Sequence, residues 1–130
     1  MALKDYFAEK NGFGVLSTAD DTGKVDAAAY AKPKVIDDTH IALIMEDKLS
    51  HANLLKNPHA CYLFKEDGEG YEGKRLFLKM EKETAEKTEI EHTCKEEWPG
   101  PYCAPRFLAK SYLVTFTVEK ELPLVIYDKK

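Results

Sequence analysis

The chain has 130 residues, with 19 Lys and Arg against 23 Asp and Glu, and a formal charge of −4. That length suits a single domain over residues 1–130 with one core. At 44% hydrophobic and 32% charged it is neither a disordered nor a membrane-spanning composition, and the acidic balance speaks against a nucleic-acid binder.

Leu3, Tyr6, Phe7 and Lys10 recur at helical spacing and stop at Asn11-Gly12, a helix-ending pair. Asp5 and Glu9 interrupt what a secretory signal would keep apolar, so a cytoplasmic setting is expected. Gly14 to Ala19 reads as a strand, and Asp20 to Gly23 as a turn with Gly23 free to take a positive φ. Lys24 to Ile36 reads as a second strand and His40 to Met45 as a third, joined through Asp37-Asp38-Thr39. Short turns make these three antiparallel neighbours.

Ser50 can cap a short helix through Leu55 that ends at Asn57-Pro58. Strands follow at Ala60–Lys65 and Arg75–Lys82, separated by a loop with Gly68, Gly70 and Gly73. Thr88 and Glu91 fit a capping box, opening a helix with an apolar stripe at Ile90, Cys94 and Trp98. Pro99-Gly100-Pro101 must end it. Ser111–Glu119 alternates as a last strand, and the tail Leu122–Tyr127 is apolar enough to pack. Six strands with few helices predict a mainly β, barrel-like fold with peripheral helices.

Two places draw attention for chemistry. Ala27, Ala29, Ala31 and Pro33 share one face of the second strand, with Ala28, Tyr30, Lys32 and Lys34 on the other. Such small side chains either let a flat ligand approach or face a helix or a second copy of the chain. Pro33 cannot join a strand ladder, so this strand is an edge or bulged there. Lys48 and Ser50 stand at a helix N-terminus, where unpaired amides attract anions, although Ser50 is equally well a plain cap and Lys48 a solvated charge. The cysteines are odd in number and predict no disulfide framework. Cys61 reads as a buried small hydrophobe. His92, Cys94 and Cys103 lack the spacing of metal ligands, and there is no nucleophile elbow or phosphate-binding glycine loop.

The order of these pieces resembles the pyridoxamine 5′-phosphate oxidase-like, FMN-binding split-barrel family, above all its small uncharacterised members. The resemblance is carried by Gly14 to Asp20, the turn at Gly23, His40 to Met45, and Ser50-x-x-Asn53-Leu54-x-x-Asn57-Pro58 before an apolar strand. Gly70-Tyr71-x-Gly73-Lys74-Arg75 adds to it, and it spans roughly residues 3–119. It implies a six-stranded antiparallel split barrel and a homodimer with FMN at the interface. Lys32, Lys48 and Ser50 would hold the phosphate, and the ring would lie along Ala28, Ala29, Tyr30 and Ala31. Met45, Glu46 and Asp47 would approach the flavin through their backbone, while Asn53 braces the short helix. Trp98 either covers the cofactor or belongs to the core, and the core is favoured.

No side chain is singled out as a catalytic acid or base, so the implied protein is an FMN-dependent oxidoreductase working with a small-molecule donor or acceptor. A non-enzymatic FMN carrier is the alternative, and some relatives hold haem or a deazaflavin instead. The longer oxidases of the family carry a basic, Trp-containing C-terminal segment. Leu122 to Lys130 has no such character, so pyridoxamine 5′-phosphate oxidation itself is not implied.

Overall fold

The structure is a computed structural model, and it describes residues 2–126. Asp20 builds the first hairpin. Its Oδ1 accepts from the Thr22 N–H, the Thr22 hydroxyl and the Lys24 N–H, at 2.8, 2.7 and 3.0 Å. Gly23 takes φ +89°, as its lack of a Cβ allows. Strand β1 (Gly12–Ala19) thereby turns back onto β2 (Val25–Tyr30), pairing Val15 with Ala29.

The expected second strand over 24–36 is broken. β2 stops at Tyr30, and β3 (Lys34–Asp37) pairs instead with β4 (His40–Glu46). Pro33 is the physical reason, since it has no N–H to give a ladder. The remaining strands are β5 (His59–Glu66), β6 (Gly73–Thr84) and β7 (Ser111–Pro123). All pairings are antiparallel, in the order β2-β1-β5-β6-β7-β4-β3. The halves of one expected strand are therefore the two edges of a seven-stranded sheet, where six strands were expected. Residues 31–33 bridge the edges, and the barrel is split there.

The carbonyls freed by that break are not left bare. The Tyr62 hydroxyl donates to the Ala31 carbonyl at 2.9 Å, and Trp98 Nε1 donates to the Lys32 carbonyl at 2.6 Å. A Cβ on Gly14 would run into that Tyr62 hydroxyl, so glycine is required by close approach. Helix α1 (Leu3–Glu9) sets Leu3, Tyr6 and Phe7 into the core, beside Leu16, Tyr62, Phe64, Leu76, Leu78, Val114 and Phe116. Each of the last seven is at most 1% exposed. Burying a side chain of this kind contributes roughly 1.5–3 kcal/mol. Cys61 is only half-buried, because it alternates outward from Tyr62. Strand β7 runs past Glu119, placing Leu122 and Pro123 opposite Arg75 and Lys74. The tail begins as sheet with Leu122 half-buried, but the expected packing does not extend to its end: Val125 and Ile126 are exposed, and Tyr127 lies outside the described residues.

Both expected caps move. Helix α2 (Leu49–Lys56) opens after Lys48, so Ser50 lies inside its first turn and caps nothing. Asn53 does brace the helix, donating to the Thr18 hydroxyl at 3.1 Å. Helix α3 (Lys87–Glu97) is capped by Glu86, not Thr88. The Glu86 carboxylate accepts from the Thr88 and Glu89 amides at 3.2 and 2.7 Å, which pulls its pKa down. A carboxylate can take two amides at once where one hydroxyl would take one.

The cysteine expectation is corrected as well. After Pro99-Gly100, a 3-10 turn (Pro101–Cys103) and the short α4 (Pro105–Leu108) fold the chain back on α3. That brings Cys94 and Cys103 to a Cα separation of 5.6 Å in a disulfide. No helix among the described residues is long and apolar enough to cross a membrane.

Candidate cofactor site

Curling the sheet brings β2 and the end of β4 together, although they lie far apart in the strand order. A cavity of about 440 Å³ opens between them and the start of α2. Ala28, Ala29, Tyr30 and Ala31 supply one wall, Met45 and Glu46 a second, and Lys48 and Ser50 the end. Eight of the ten residues expected to hold a cofactor thus line one cradle. Asp26, Ile44 and Leu49 join them, which the sequence did not single out.

The alanines keep that wall shallow. Tyr30 stands among them half-buried, and burial raises its phenol pKa against the opposing effect of Ser50. No side chain caps the first turn of α2, and Leu49 and Ser50 of that turn line the cradle. Uncapped amides with a partial positive charge suit an anion. Lys48 adds a full charge at the same end. Its ammonium lies 2.9 Å from the Glu46 carboxylate, which raises its pKa.

Two expected residues stand elsewhere. Lys32 points its ammonium at α1, donating to the Phe7 and Lys10 carbonyls at 2.8 and 3.0 Å and to Asn11 Oδ1 at 3.3 Å. It holds the C-terminal end of that helix, whose last carbonyls lack intrahelical partners. Asp47 faces an adjoining recess that shares Glu46 and Lys48 with the cradle and adds Arg106, Ala109 and Lys110, and its N–H donates to the Lys110 carbonyl. Its carboxylate lies 3.4 Å from His51 Nδ1. His51 is buried, stacks on Tyr112 at 3.9 Å, and sets Nε2 2.5 Å from Glu83. These contacts fix the start of α2 against β6 and β7.

A second cavity of about 380 Å³ adjoins the cradle and shares Tyr30, Ala31, Ile44 and Glu46 with it. Trp98, Tyr102, Phe107 and Leu108 form its far wall, with Cys94 behind them. In sequence Trp98 reads as a cofactor cover or as core, and the segment from Pro99 to Leu108 gives no hint of this wall beyond its aromatic content. Trp98 is half-buried and divides this cavity from a third recess beside Lys32, so it is neither plain core nor part of the cradle.

Comparison with protein-family models gives no match, and neither does comparison with curated proteins. Solved structures do match, at fold level. An FMN-binding protein from Syntrophomonas wolfei subsp. wolfei superposes with a TM-score of 0.72 at 19% identity, covering 94% of this chain and 83% of that one. An F420 reductase gives 0.74 at 15% identity, covering 91% and 94%. A protein from Lactobacillus delbrueckii, provisionally described as a pyridoxamine 5′-phosphate oxidase, gives 0.65 at 14% identity, covering 86% and 84%. The chain has the mainly β split-barrel fold of these proteins.

Proposed function

We propose that the chain binds FMN in the cradle and acts as a flavin-dependent oxidoreductase, in a homodimer. The observation that carries this is the convergence of Ala28, Ala29, Tyr30, Ala31, Met45, Glu46, Lys48 and Ser50 on one cavity. Its fold is shared with an FMN-binding protein and with an F420 reductase, which supports a flavin-type ligand.

The residues present fit the group in two respects. A wall of alanines suits a flat ring system, and Lys48 with the uncapped α2 amides suits a phosphate at one end. Lys48 works there as a point charge, without the bidentate geometry of arginine. The same lining carries Asp26 and Glu46, so one protomer offers a single cation against two carboxylates. A second protomer completes the site in this reading. Val25 is 82% exposed on edge strand β2, with Ala27 and Ala29 exposed on the same face. Leu49 and Leu55 add exposed apolar surface on α2, which packs against β2. An apolar face of this kind supports the dimer reading.

Bound flavin would supply the electron-transfer chemistry, taking electrons from a small-molecule donor and passing them to an acceptor. The chain's side chains bind and orient it, and none is assigned as an acid or base. Mass spectrometry of the ligand released from purified protein on denaturation tests this, together with NAD(P)H turnover. FMN with turnover supports the proposal. FMN without turnover makes the chain a carrier, and haem or a deazaflavin overturns the FMN assignment.

A further inference from the structure

The cavity beside the cradle differs from it in chemistry. Tyr30, Trp98, Tyr102 and Phe107 give it four aromatic side chains, and Leu43, Ile44 and Leu108 fill the intervals. Its volume of about 380 Å³ falls within the range of small-molecule sites, which are apolar with a few placed polar groups. Among the described residues that line it, the one charged group is the Glu46 carboxylate, and Ser111 adds a hydroxyl. Neither cation nearby belongs to it. Lys48 lines the cradle, and Arg106, with its guanidinium 4.7 Å from the Phe107 ring, lines the adjoining recess.

The wall is also held in place. The Cys94–Cys103 disulfide ties the segment carrying Tyr102 to α3, and the Trp98 indole is pinned through its N–H to the Lys32 carbonyl. A site fixed in advance loses less freedom when a ligand enters.

We infer that this cavity is a second ligand site, taking a planar aromatic molecule that is neutral or cationic, carries a hydrogen-bond donor for Glu46, and has no phosphate or carboxylate. Flat rings match the aromatic walls. An anion there would meet the Glu46 carboxylate before any cation, because Lys48, its partner at 2.9 Å, lines the cradle and not this cavity. As a binding site the cavity stands on its own geometry. As the substrate site of an oxidoreductase it rests on the flavin reading, since it shares Tyr30, Ala31, Ile44 and Glu46 with the cradle.

The test is equilibrium dialysis of 2-naphthol and 2-naphthoate, which share a ring system and differ in charge, against FMN-free and FMN-loaded protein. The expected result is 2-naphthol binding at least about tenfold tighter, with Glu46→Gln narrowing the gap. Tyr102→Ala and Phe107→Ser, at side chains 74% and 40% exposed, should each weaken 2-naphthol about three- to tenfold while leaving the fold intact. Equal binding of the two probes overturns the proposal, as does no binding of either or indifference to both wall variants. If FMN fails to bind but 2-naphthol behaves as stated, the flavin reading falls and this site stands. If FMN binds and 2-naphthol does not, this site falls and the flavin reading stands.

Discussion

Trp98 Nε1 donates to the Lys32 main-chain carbonyl at 2.6 Å, joining the end of α3 to the break between the two sheet edges. The bond accounts for a carbonyl that the strand ladder abandons at Pro33. Replacing Trp98 by Phe keeps a ring and removes the donor. The expected cost is about 1–3 kcal/mol, as for a polar group left without its partner. Urea unfolding monitored by circular dichroism checks it, and an unchanged midpoint would show that water serves equally well.

Lys32 and Lys48 look alike in sequence, yet Lys32 is bound to the end of α1 while Lys48 lines the cradle. Lys48→Ala should weaken FMN about tenfold or more through loss of a charge-assisted contact, with little change in Tm. Lys32→Met should do the reverse, lowering Tm by freeing the C-terminal carbonyls of α1 while sparing FMN affinity. FMN titration and thermal melts of both variants separate the two roles.

The Cys94–Cys103 bond closes a loop with a sequence separation of 9. Cross-linking so short a loop stabilises a fold by about 2–3 kcal/mol in the chain-entropy picture. The Cys94→Ala, Cys103→Ala double variant should lose roughly that much in denaturant melts. It should also weaken 2-naphthol binding, since Trp98 and Tyr102 lie within the loop. A double variant as stable as the parent would show that the disulfide does not hold the fold together.

What the sequence made legible follows a physical division. Local turn chemistry was readable, because Asp20 and Gly23 fix their hairpin through contacts within four residues. Alternation was readable for the same reason, and Leu76 and Leu78 are buried as it predicts. The cradle was legible through the motif around Ser50 and the alanines of β2, whose convergence depends on element order. Direction was not legible. Nothing in the sequence tells that the Lys32 side chain turns to α1 or that Asp47 turns to His51. Pro33 signalled an irregular strand but not that its halves would part to opposite edges, since that depends on which neighbours each half finds. The cysteine pair required the fold of 99–103, where two prolines and a glycine reverse the chain.

His40 ties the β3–β4 turn to β6, with Nδ1 2.8 Å from Asp37 and Nε2 3.0 Å from Glu81. The Asp37 hydrogen bond leads in raising its pKa above the ordinary value of 6.5. A raised folded pKa means stabilisation that is complete below 6.5 and lost as pH rises through the higher value. The Tm difference between the parent and His40→Gln should therefore shrink from acidic to alkaline pH. A difference constant across that range would contradict the pairing.

The most direct measurement is a titration of ligand-free protein with FMN, followed by flavin fluorescence and absorbance and repeated on Lys48→Ala. The cradle predicts saturable binding at one FMN per chain, weakened in the variant. Protein that stays colourless and leaves FMN fluorescence unchanged at saturating FMN would contradict it.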